Sequence, residues 1–188
     1  MQLSSTRIPD LFIITPTVFE DERGYFFESY HAQKLADMGV EERFVQDNQS
    51  ISSQGTIRGL HYQCTPHAQA KLVRVSDGEV WDVAVDLRQG SPTFGQWLGI
   101  KLSATNKHQI LIPRGFAHGF SVLSKQATVL YKCDAFYHRE AEAGISFDDP
   151  ALAIDWQLND RQAIVSEKDR QLPTFKEARL NFIYRPHA

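Results

Sequence analysis

The chain has 188 residues, of which 42% are hydrophobic and 23% charged, a composition typical of a globular protein that buries a core within one domain. Its formal net charge of −3 excludes the basic surface of a nucleic-acid-binding protein, and no apolar run reaches the length of a membrane span. Cys64 and Cys133 form neither a disulfide scaffold nor a CxxC metal site, and no signal-like apolar run opens the chain, so we predict a reducing cytoplasm.

Short β-prone runs separated by turns open the chain. Residues 11–14 are predicted to form a strand that ends near Pro16, and a turn over residues 21–24 precedes a second strand over residues 25–29. A helix is predicted over residues 30–38, because its apolar residues share one face and a glycine follows as a stop.

The next predicted strand, residues 44–50, carries amide side chains on one face. Alternation puts Phe44, Gln46 and Asn48 on that face. Two amides that point inward would indicate a ligand cavity, whereas an exposed edge strand is the alternative interpretation.

The stretch from Thr56 to Val73 is the centre of the functional hypothesis. It combines His61, Arg58 and Lys71, which are a candidate base, a candidate anion ligand and a cation able to stabilise an oxyanion. The alternative is a surface strand that carries ordinary basic residues. Strict alternation separates Arg58 from His61, and Gly59 between them predicts a bulge that brings both to one side.

The remainder of the chain continues as short strands between glycine, proline and aspartate turns. Residues 76–79 are predicted to form a hairpin turn. Further strands are predicted over residues 71–75, 80–87, 96–102 and 109–112, within 113–120, and over 127–137, followed after Gly144 by a loop-and-helix tail. In residues 80–87, alternation separates an apolar face from a face that carries Asp82. The pattern predicts an all-β antiparallel sandwich or barrel over a single domain, residues 1–188, with no predicted role for the tail at about 174–188.

These motifs together resemble the dTDP-4-dehydrorhamnose 3,5-epimerase family, which has a cupin-like jelly-roll fold with a few short helices, here mainly near the C-terminus. The matching segments include Asp21-Glu22-Arg23-Gly24, Gln46-Asp47-Asn48, Arg58-Gly59-Leu60-His61-Tyr62-Gln63, Ser91-Pro92-Thr93-Phe94-Gly95, Pro113-Arg114-Gly115-Phe116-Ala117-His118 and Ser166-Glu167-Lys168-Asp169. They span about residues 8–173 in the family's order, and that order makes the resemblance specific.

The resemblance implies epimerisation of dTDP-4-dehydro-6-deoxy-D-glucose at C3 and C5 through an enolate, with no cofactor and no metal. The family's base maps to His61, and the carboxylate that orients it maps to Asp169. The cation near the C4 oxygen maps to Lys71, and the proton donor maps to Tyr131. The alternatives are a structural histidine, a solvated acid, a strand lysine with its head group in solvent and an aromatic core residue.

The resemblance also implies a nucleotide-binding set and a homodimer. Tyr137 maps to the aromatic residue that stacks on thymine. The other positions that match ligand contacts are Arg23, Glu28, Gln46, Asp47, Asn48, Arg58, His118, Glu142 and Lys168. Arg23 is expected to act across the dimer interface, because the family's N-terminal strands cross to the partner. His138-Arg139 departs from the family, which often has a proline after the tyrosine pair.

Three other functions compete with this hypothesis. A metal-dependent cupin enzyme would explain the segment 113–118, but it needs a His-x-His motif where this chain has His61-Tyr62-Gln63. A non-catalytic sugar-binding sandwich would not need a base, an acid and a cation together. Within the family, an epimerase acting at only C3 or only C5, or a ketoisomerase, would share the base and much of the nucleotide site.

Overall fold

The computed structural model describes residues 1–158 and 163–186, so residues 187 and 188 of the predicted tail lie outside the described part. The strands are Gln2–Ser5 (β1), Phe12–Thr15 (β2), Phe19–Asp21 (β3), Gly24–Phe26 (β4), Gln46–Ser53 (β5), Ile57–Gln63 (β6), Lys71–Asp77 (β7), Glu79–Asp86 (β8), Trp97–Ser103 (β9), Gln109–Ile112 (β10), Phe116–Val122 (β11), Gln126–Cys133 (β12) and Glu142–Gly144 (β13). The helices are Ala32–Asp37 (α1), a 3₁₀ turn at Arg139–Ala141 and Glu167–Arg170 (α2).

Two antiparallel sheets form the body of the molecule. One sheet has six strands in the order β1-β2-β10-β7-β12-β5, and the other has five in the order β13-β6-β11-β8-β9. A separate hairpin joins β3 and β4. This arrangement confirms the predicted all-β jelly-roll fold, in which the core is built between and around the two sheets.

Alternation along the strands gives the molecule three apolar layers. The layer between the sheets contains Val73, Val75 and Ala84. On β8, Val83 and Val85 point the other way, into a second layer that the C-terminal segment covers with residues such as Phe182. A third layer lies under α1 on the outer face of the six-stranded sheet. The predicted two faces of residues 80–87 are therefore correct, and both faces are buried.

The prediction of a hairpin turn over residues 76–79 is wrong. The strands on either side, β7 and β8, belong to different sheets, so the turn carries the chain from one sheet to the other. Gly78 has a φ of +75°, and a Cβ there would lie 2.0 Å from the carbonyl oxygen of Gln126. The glycine is therefore required because the turn passes close to the start of β12. A glycine is also common in hairpin turns, so the local sequence could not distinguish the two kinds of turn.

Several predicted elements are longer than those observed. The strand predicted over residues 127–137 ends at Cys133, because Asp134 turns aside: its carboxylate accepts from the Ala70 amide at 2.7 Å and from Arg114 at 2.8 Å. The strand predicted over residues 25–29 is present only as Gly24–Phe26. The helix predicted over residues 30–38 is the shorter α1.

No helix within residues 1–158 and 163–186 is long and apolar enough to cross a membrane.

Candidate active site

A bulge in β6 organises the candidate site. On β11, His118 lies opposite His61 and Phe120 lies opposite Arg58, so three steps along β6 match two along β11. The bulge predicted at Gly59 is confirmed, and Gly59 itself has a φ of +131° and lies so close to β11 that a Cβ would be 2.5 Å from the Cα of Gly119. Because of the bulge, Arg58 and His61 line the same cavity.

That cavity has a volume of about 1030 Å³ and draws its walls from both sheets. The predicted site residues that line it are Gln46, Asn48, Arg58, His61, Lys71, His118, Tyr131, Tyr137, Glu142, Lys168 and Asp169. The inward direction of Gln46 and Asn48 is confirmed. Phe44, predicted on the same face, instead packs in the third layer, because β5 begins only at Gln46 and alternation does not extend to Phe44. A cavity of this size is in the range that holds small organic ligands and cofactors.

His61 is held by Asp169 across a long stretch of chain. The His61 Nε2 atom lies 2.8 Å from Asp169 Oδ1, and the two residues are 108 positions apart. Burial would raise the pKa of the Asp169 carboxyl, but the hydrogen bonds from His61 and the Gly59 amide outweigh it and lower that pKa. The carboxylate is therefore the acceptor, so Nε2 carries the proton and the lone pair of a neutral His61 ring is on Nδ1.

The N-terminus of α2 fixes Asp169 in place. Ser166 is the N-cap of this short helix, and its hydroxyl accepts from the Asp169 amide at 3.1 Å. The side chain of Asp169 is only 6% exposed. A serine followed three residues later by an acidic residue is a sequence signature of a helix start, so the position of Asp169 in the first turn could have been found from the sequence.

Lys71 lies on β7, in the sheet opposite His61. Its Nζ lies 3.5 Å from the carbonyl oxygen of His61 and 5.8 Å from the centre of the Tyr131 ring. Burial lowers the pKa of the Lys71 ammonium, and the nearby Cys133 and Asp82 only partly oppose this effect. A partly buried cation is screened less by water than an exposed one, so it can interact with negative charge that develops beside it.

Tyr131 lies on β12 in the same sheet as Lys71, so it faces the cavity from the wall opposite β6. Burial raises the pKa of its phenol, Cys133 adds to the rise, and Arg58 works against it. The phenol therefore stays protonated over the neutral range and can act as a hydrogen-bond or proton donor.

A second histidine–carboxylate pair lies beside the first. His118 Nε2 is 2.9 Å from Asp82 Oδ2, and both residues are buried. Burial lowers the pKa of His118, while Asp82 opposes the change and Lys71 and His61 add to it. From the sequence, Asp82 lies on the polar face of its strand, and the family resemblance makes it a possible supporting acid outside the catalytic set.

The mouth of the cavity carries a chain of polar contacts around Tyr137. The Tyr137 hydroxyl donates to Glu142 Oε2 at 3.0 Å, and Lys168 Nζ lies 2.7 Å from Glu142 Oε1. Tyr137 is 54% exposed, so its side chain is accessible at the mouth. Further along the wall, Arg58 donates to the Ser52 hydroxyl at 2.9 Å.

Three predicted ligand contacts lie outside this cavity. Arg23 is on the exposed β3–β4 hairpin, where it pairs with Asp21. Glu28 pairs with Lys34 of α1. Asp47 alternates to the other side of β5 from Gln46 and Asn48, and its carboxylate binds Lys132 at 2.8 Å.

The histidines of the cavity are engaged by carboxylates rather than grouped as metal ligands. His61 and His118 each direct Nε2 to an aspartate, and Gln63 stands where a metal cupin would need a second histidine. Among the described residues, no three His, Cys, Asp or Glu side chains lie close enough together to hold a metal ion. The prediction that the site needs no metal stays a prediction.

Comparisons with known proteins agree with this geometry. Residues 5–177 match the sequence profile of the family described as dTDP-4-dehydrorhamnose 3,5-epimerase. The dTDP-4-dehydrorhamnose 3,5-epimerase of Pseudomonas aeruginosa is 54% identical over 179 residues, which cover 95% of this chain and 98% of that protein.

Solved structures extend the comparison to the fold. A dTDP-6-deoxy-D-glucose-3,5-epimerase from Legionella pneumophila, in complex with dTDP-4-keto-L-rhamnose, superposes with a TM-score of 0.94 at 49% identity and covers 98% of this chain and 99% of its own. A 3'-monoepimerase from Streptomyces bikiniensis in complex with dTDP-quinovose superposes with a TM-score of 0.84 at 30% identity, covering 90% and 85%. With a matching profile over nearly its whole length and relatives of this similarity, the chain belongs to the dTDP-4-dehydrorhamnose 3,5-epimerase family.

Proposed function

We propose that the chain is a dTDP-4-dehydrorhamnose 3,5-epimerase, which converts dTDP-4-dehydro-6-deoxy-D-glucose into dTDP-4-dehydro-L-rhamnose without a cofactor. The observation that carries the proposal is the arrangement of one cavity between two sheets. His61 projects from one sheet, and Lys71 and Tyr131 project from the other. Inversion of a carbon needs one group to remove a proton and another to return it on the opposite face.

His61 is the proposed general base. The C4 ketone of the substrate acidifies the hydrogens at C3 and C5. The C–H bond breaks, its proton passes to Nδ1 of His61, and its electron pair moves into an enolate with charge on the C4 oxygen. Asp169, at 2.8 Å from Nε2, stabilises the imidazolium that results.

Lys71 is the proposed partner of the enolate oxygen. The C4 oxygen gains negative charge as the C–H bond breaks, and the partly buried Lys71 ammonium offers a positive charge at that moment. Water would screen such an interaction, so burial of Lys71 strengthens it.

Tyr131 is the proposed acid. Its hydroxyl gives a proton to the carbon on the face away from His61, and the enolate collapses back to the ketone. The resulting phenolate and imidazolium return to their starting states by proton exchange with solvent. Support comes from the position of Tyr131 on the opposite sheet and from burial, which raises the pKa of the phenol and keeps it protonated.

The nucleotide is proposed to bind at the mouth. Tyr137 would stack on thymine with its open face, while Arg58 and Lys168 provide positive charge for the diphosphate. Gln46, Asn48, His118 and Glu142 line the same cavity and are the other proposed ligand contacts. Hydrogen-bonding side chains of this kind suit the hydroxyl groups of two sugars.

A homodimer is proposed to complete the site. Arg23, Glu28 and Asp47 lie outside the cavity of their own chain, so contact with ligand would need a second copy. The β3–β4 hairpin that carries Arg23 exposes three large aromatic side chains, those of Phe19, Tyr25 and Phe26. Exposed apolar groups of this kind are typical of a protein–protein interface.

Two further predictions stay with this proposal. The cytoplasm is the proposed location, supported by two free and buried thiols, Cys64 and Cys133. A single domain over residues 1–188 is supported by the contact of Phe182, near the C-terminus, with the outer face of the five-stranded sheet.

Proton exchange followed by NMR tests the proposed reaction directly. The protein is incubated with dTDP-4-dehydro-6-deoxy-D-glucose in deuterium oxide. We expect deuterium at both C3 and C5 and inversion at both. Deuterium and inversion at C3 alone would instead favour the monoepimerase activity, to which the similarity with the S. bikiniensis protein points. No exchange at either carbon would reject both.

A further inference from the structure

The loop that carries Tyr137 has no regular secondary structure to hold it. Strand β12 ends at Cys133, and the 3₁₀ turn begins only at Arg139. More than half of the Tyr137 side chain is exposed, so packing of the ring does not fix its position. A stacking surface for a base nevertheless has to be preorganised, because each freely rotating group that binding must order weakens affinity.

Gln63 supplies three hydrogen bonds to this region from the end of β6. Its Nε2 donates to the carbonyl oxygen of Phe136 at 3.3 Å and to that of His67 at 2.7 Å. Its Oε1 accepts from the amide of His138 at 2.6 Å. Gln63 is only 4% exposed, so its own amide group is almost completely committed to these three backbone partners.

The backbone on both sides of Tyr137 is therefore tied to β6. The carbonyl before Tyr137 and the amide after it both bond to the one side-chain amide of Gln63. The Tyr137 amide itself donates to Oε1 of Gln46 at 2.9 Å, on the neighbouring sheet. The rings of His67 and His138 add a further contact, stacked with centroids 3.7 Å apart.

We propose that Gln63 is a positioning residue for nucleotide binding, which acts by holding the backbone of Tyr137. The inference rests on the proposed function, in which Tyr137 stacks on thymine. Only a side chain that both donates and accepts satisfies this arrangement, since two carbonyls and one amide converge on it. Gln63 is two residues from His61 on the same strand, so the base and the nucleobase platform share one rigid element.

A double-mutant cycle on dTDP binding tests the proposal. Dissociation constants are measured by calorimetry for the wild type, Gln63→Met, Tyr137→Ala and the double variant. Methionine keeps the length of glutamine and removes all three hydrogen bonds. We expect Gln63→Met to weaken dTDP binding by about tenfold, the size of one or two lost hydrogen bonds, and to have almost no effect once Tyr137 is alanine. With substrate, KM should rise and kcat should stay within about threefold, since His61, Lys71 and Tyr131 are unchanged.

Gln54→Met is the matched control. Gln54 also donates to a backbone carbonyl, that of Leu123, but it does not line the cavity. Loss of the Gln54 hydrogen bond should leave the dissociation constant of dTDP unchanged.

Gln63→Glu serves as a second variant if Gln63→Met does not fold. Glutamate keeps the acceptor for the His138 amide and loses both donors. Binding of dTDP by Gln63→Glu should weaken in the same Tyr137-dependent way.

Three results would overturn the inference. If Gln63→Met weakens dTDP binding equally in the presence and absence of the Tyr137 ring, Gln63 does not act through Tyr137. A fall in kcat with an unchanged KM would place its effect on the reacting groups. Failure of the wild type to bind dTDP would overturn the proposed function, and this inference with it, whereas tight wild-type binding with additive losses rejects the inference alone.

Discussion

Two histidine–aspartate pairs lie side by side in this molecule and differ in their exposure and in the part of the chain that supplies the aspartate. His61 and His118 are direct neighbours across β6 and β11, and each directs Nε2 to a carboxylate at 2.8 and 2.9 Å. The side chain of His61 is 35% exposed, whereas that of His118 is 7% exposed. Asp169 comes from a helix far along the chain, while Asp82 comes from the adjacent strand β8.

Burial, more than chemical identity, separates the proposed roles of the two pairs. A base must reach the hydrogen that it removes and must accept a positive charge there. His61 satisfies both conditions, since it is open to the cavity and has an ionised partner. His118 is nearly enclosed, and its lowered pKa favours the neutral form, which suits a hydrogen-bonding contact to ligand.

The largest expected effect is that of His61→Ala. Without the base, kcat should fall by about 10³-fold or more, while dTDP binding changes little because the nucleotide contacts remain. Stopped assays and calorimetry measure the two quantities. His118→Ala, by contrast, should act mainly on KM. Near-normal turnover in His61→Ala would contradict this assignment, because the exposed pair would then have no special role in catalysis.

Lys71→Met should lower kcat by about 10²–10³-fold, which is typical for the loss of one well-placed oxyanion donor.

The pH dependence of kcat gives a second test of Lys71. Burial lowers the pKa of Lys71, so the cation is lost as pH rises through a value below the ~10.4 of a free lysine. The raised pKa of Tyr131 keeps that phenol protonated over the same interval. We therefore expect an alkaline loss of kcat in the wild type and none in Lys71→Met; a change in KM alone would make Lys71 a phosphate ligand.

Tyr131→Phe should separate two events that the wild type couples. Inverted product should fall by about 10²-fold, the contribution of a general acid, while His61 still exchanges the substrate hydrogen with solvent deuterium. NMR in deuterium oxide measures exchange and inversion in the same sample. If both fall to the level of His61→Ala, Tyr131 is not a simple donor, and if both survive, another residue or a water returns the proton.

Replacing the two carboxylates by amides compares the pairs directly. Asp169→Asn should lower kcat by about 10–10²-fold, because the amide cannot stabilise the imidazolium of His61. Asp82→Asn should leave kcat within about threefold and lower the free energy of unfolding by about 1–3 kcal/mol, because a buried hydrogen-bonded group loses its preferred partner. Denaturant titration and steady-state kinetics of both variants give the contrast. Equal losses of kcat would show that the buried pair also takes part in the chemistry.

Exhaustive chelation should have the smallest effect, which is none. His61 and His118 are each hydrogen-bonded to an aspartate, and Gln63 is hydrogen-bonded to backbone groups. The side chains at the positions where a metal-dependent cupin has its ligands therefore already have protein partners. Activity before and after chelation is compared, with added divalent ions as the control. Loss on chelation and recovery on adding one ion would restore the metal-dependent alternative.

Local sequence patterns predicted most of the strands and the main local features of the site. Alternation assigned the two faces of β8 and turned Gln46 and Asn48 inward, and both assignments are correct because side chains on a strand point to opposite sides whatever the strand packs against. Gly59 predicted the bulge because a glycine between two functional residues of a strand marks a break in alternation. The order of short motifs indicated the family.

Contacts between distant residues, in contrast, depend on tertiary packing. Asp169 reaches His61 because α2 packs beside β6, and no local pattern records a contact over 108 positions. The turn at Gly78 joins two sheets rather than two paired strands, since pairing depends on partners elsewhere in the chain. Gln63 was visible as part of a motif, but its three backbone partners come from two other segments. Burial, which distinguishes His61 from His118, is likewise a property of the assembled sheets and of no single stretch of sequence.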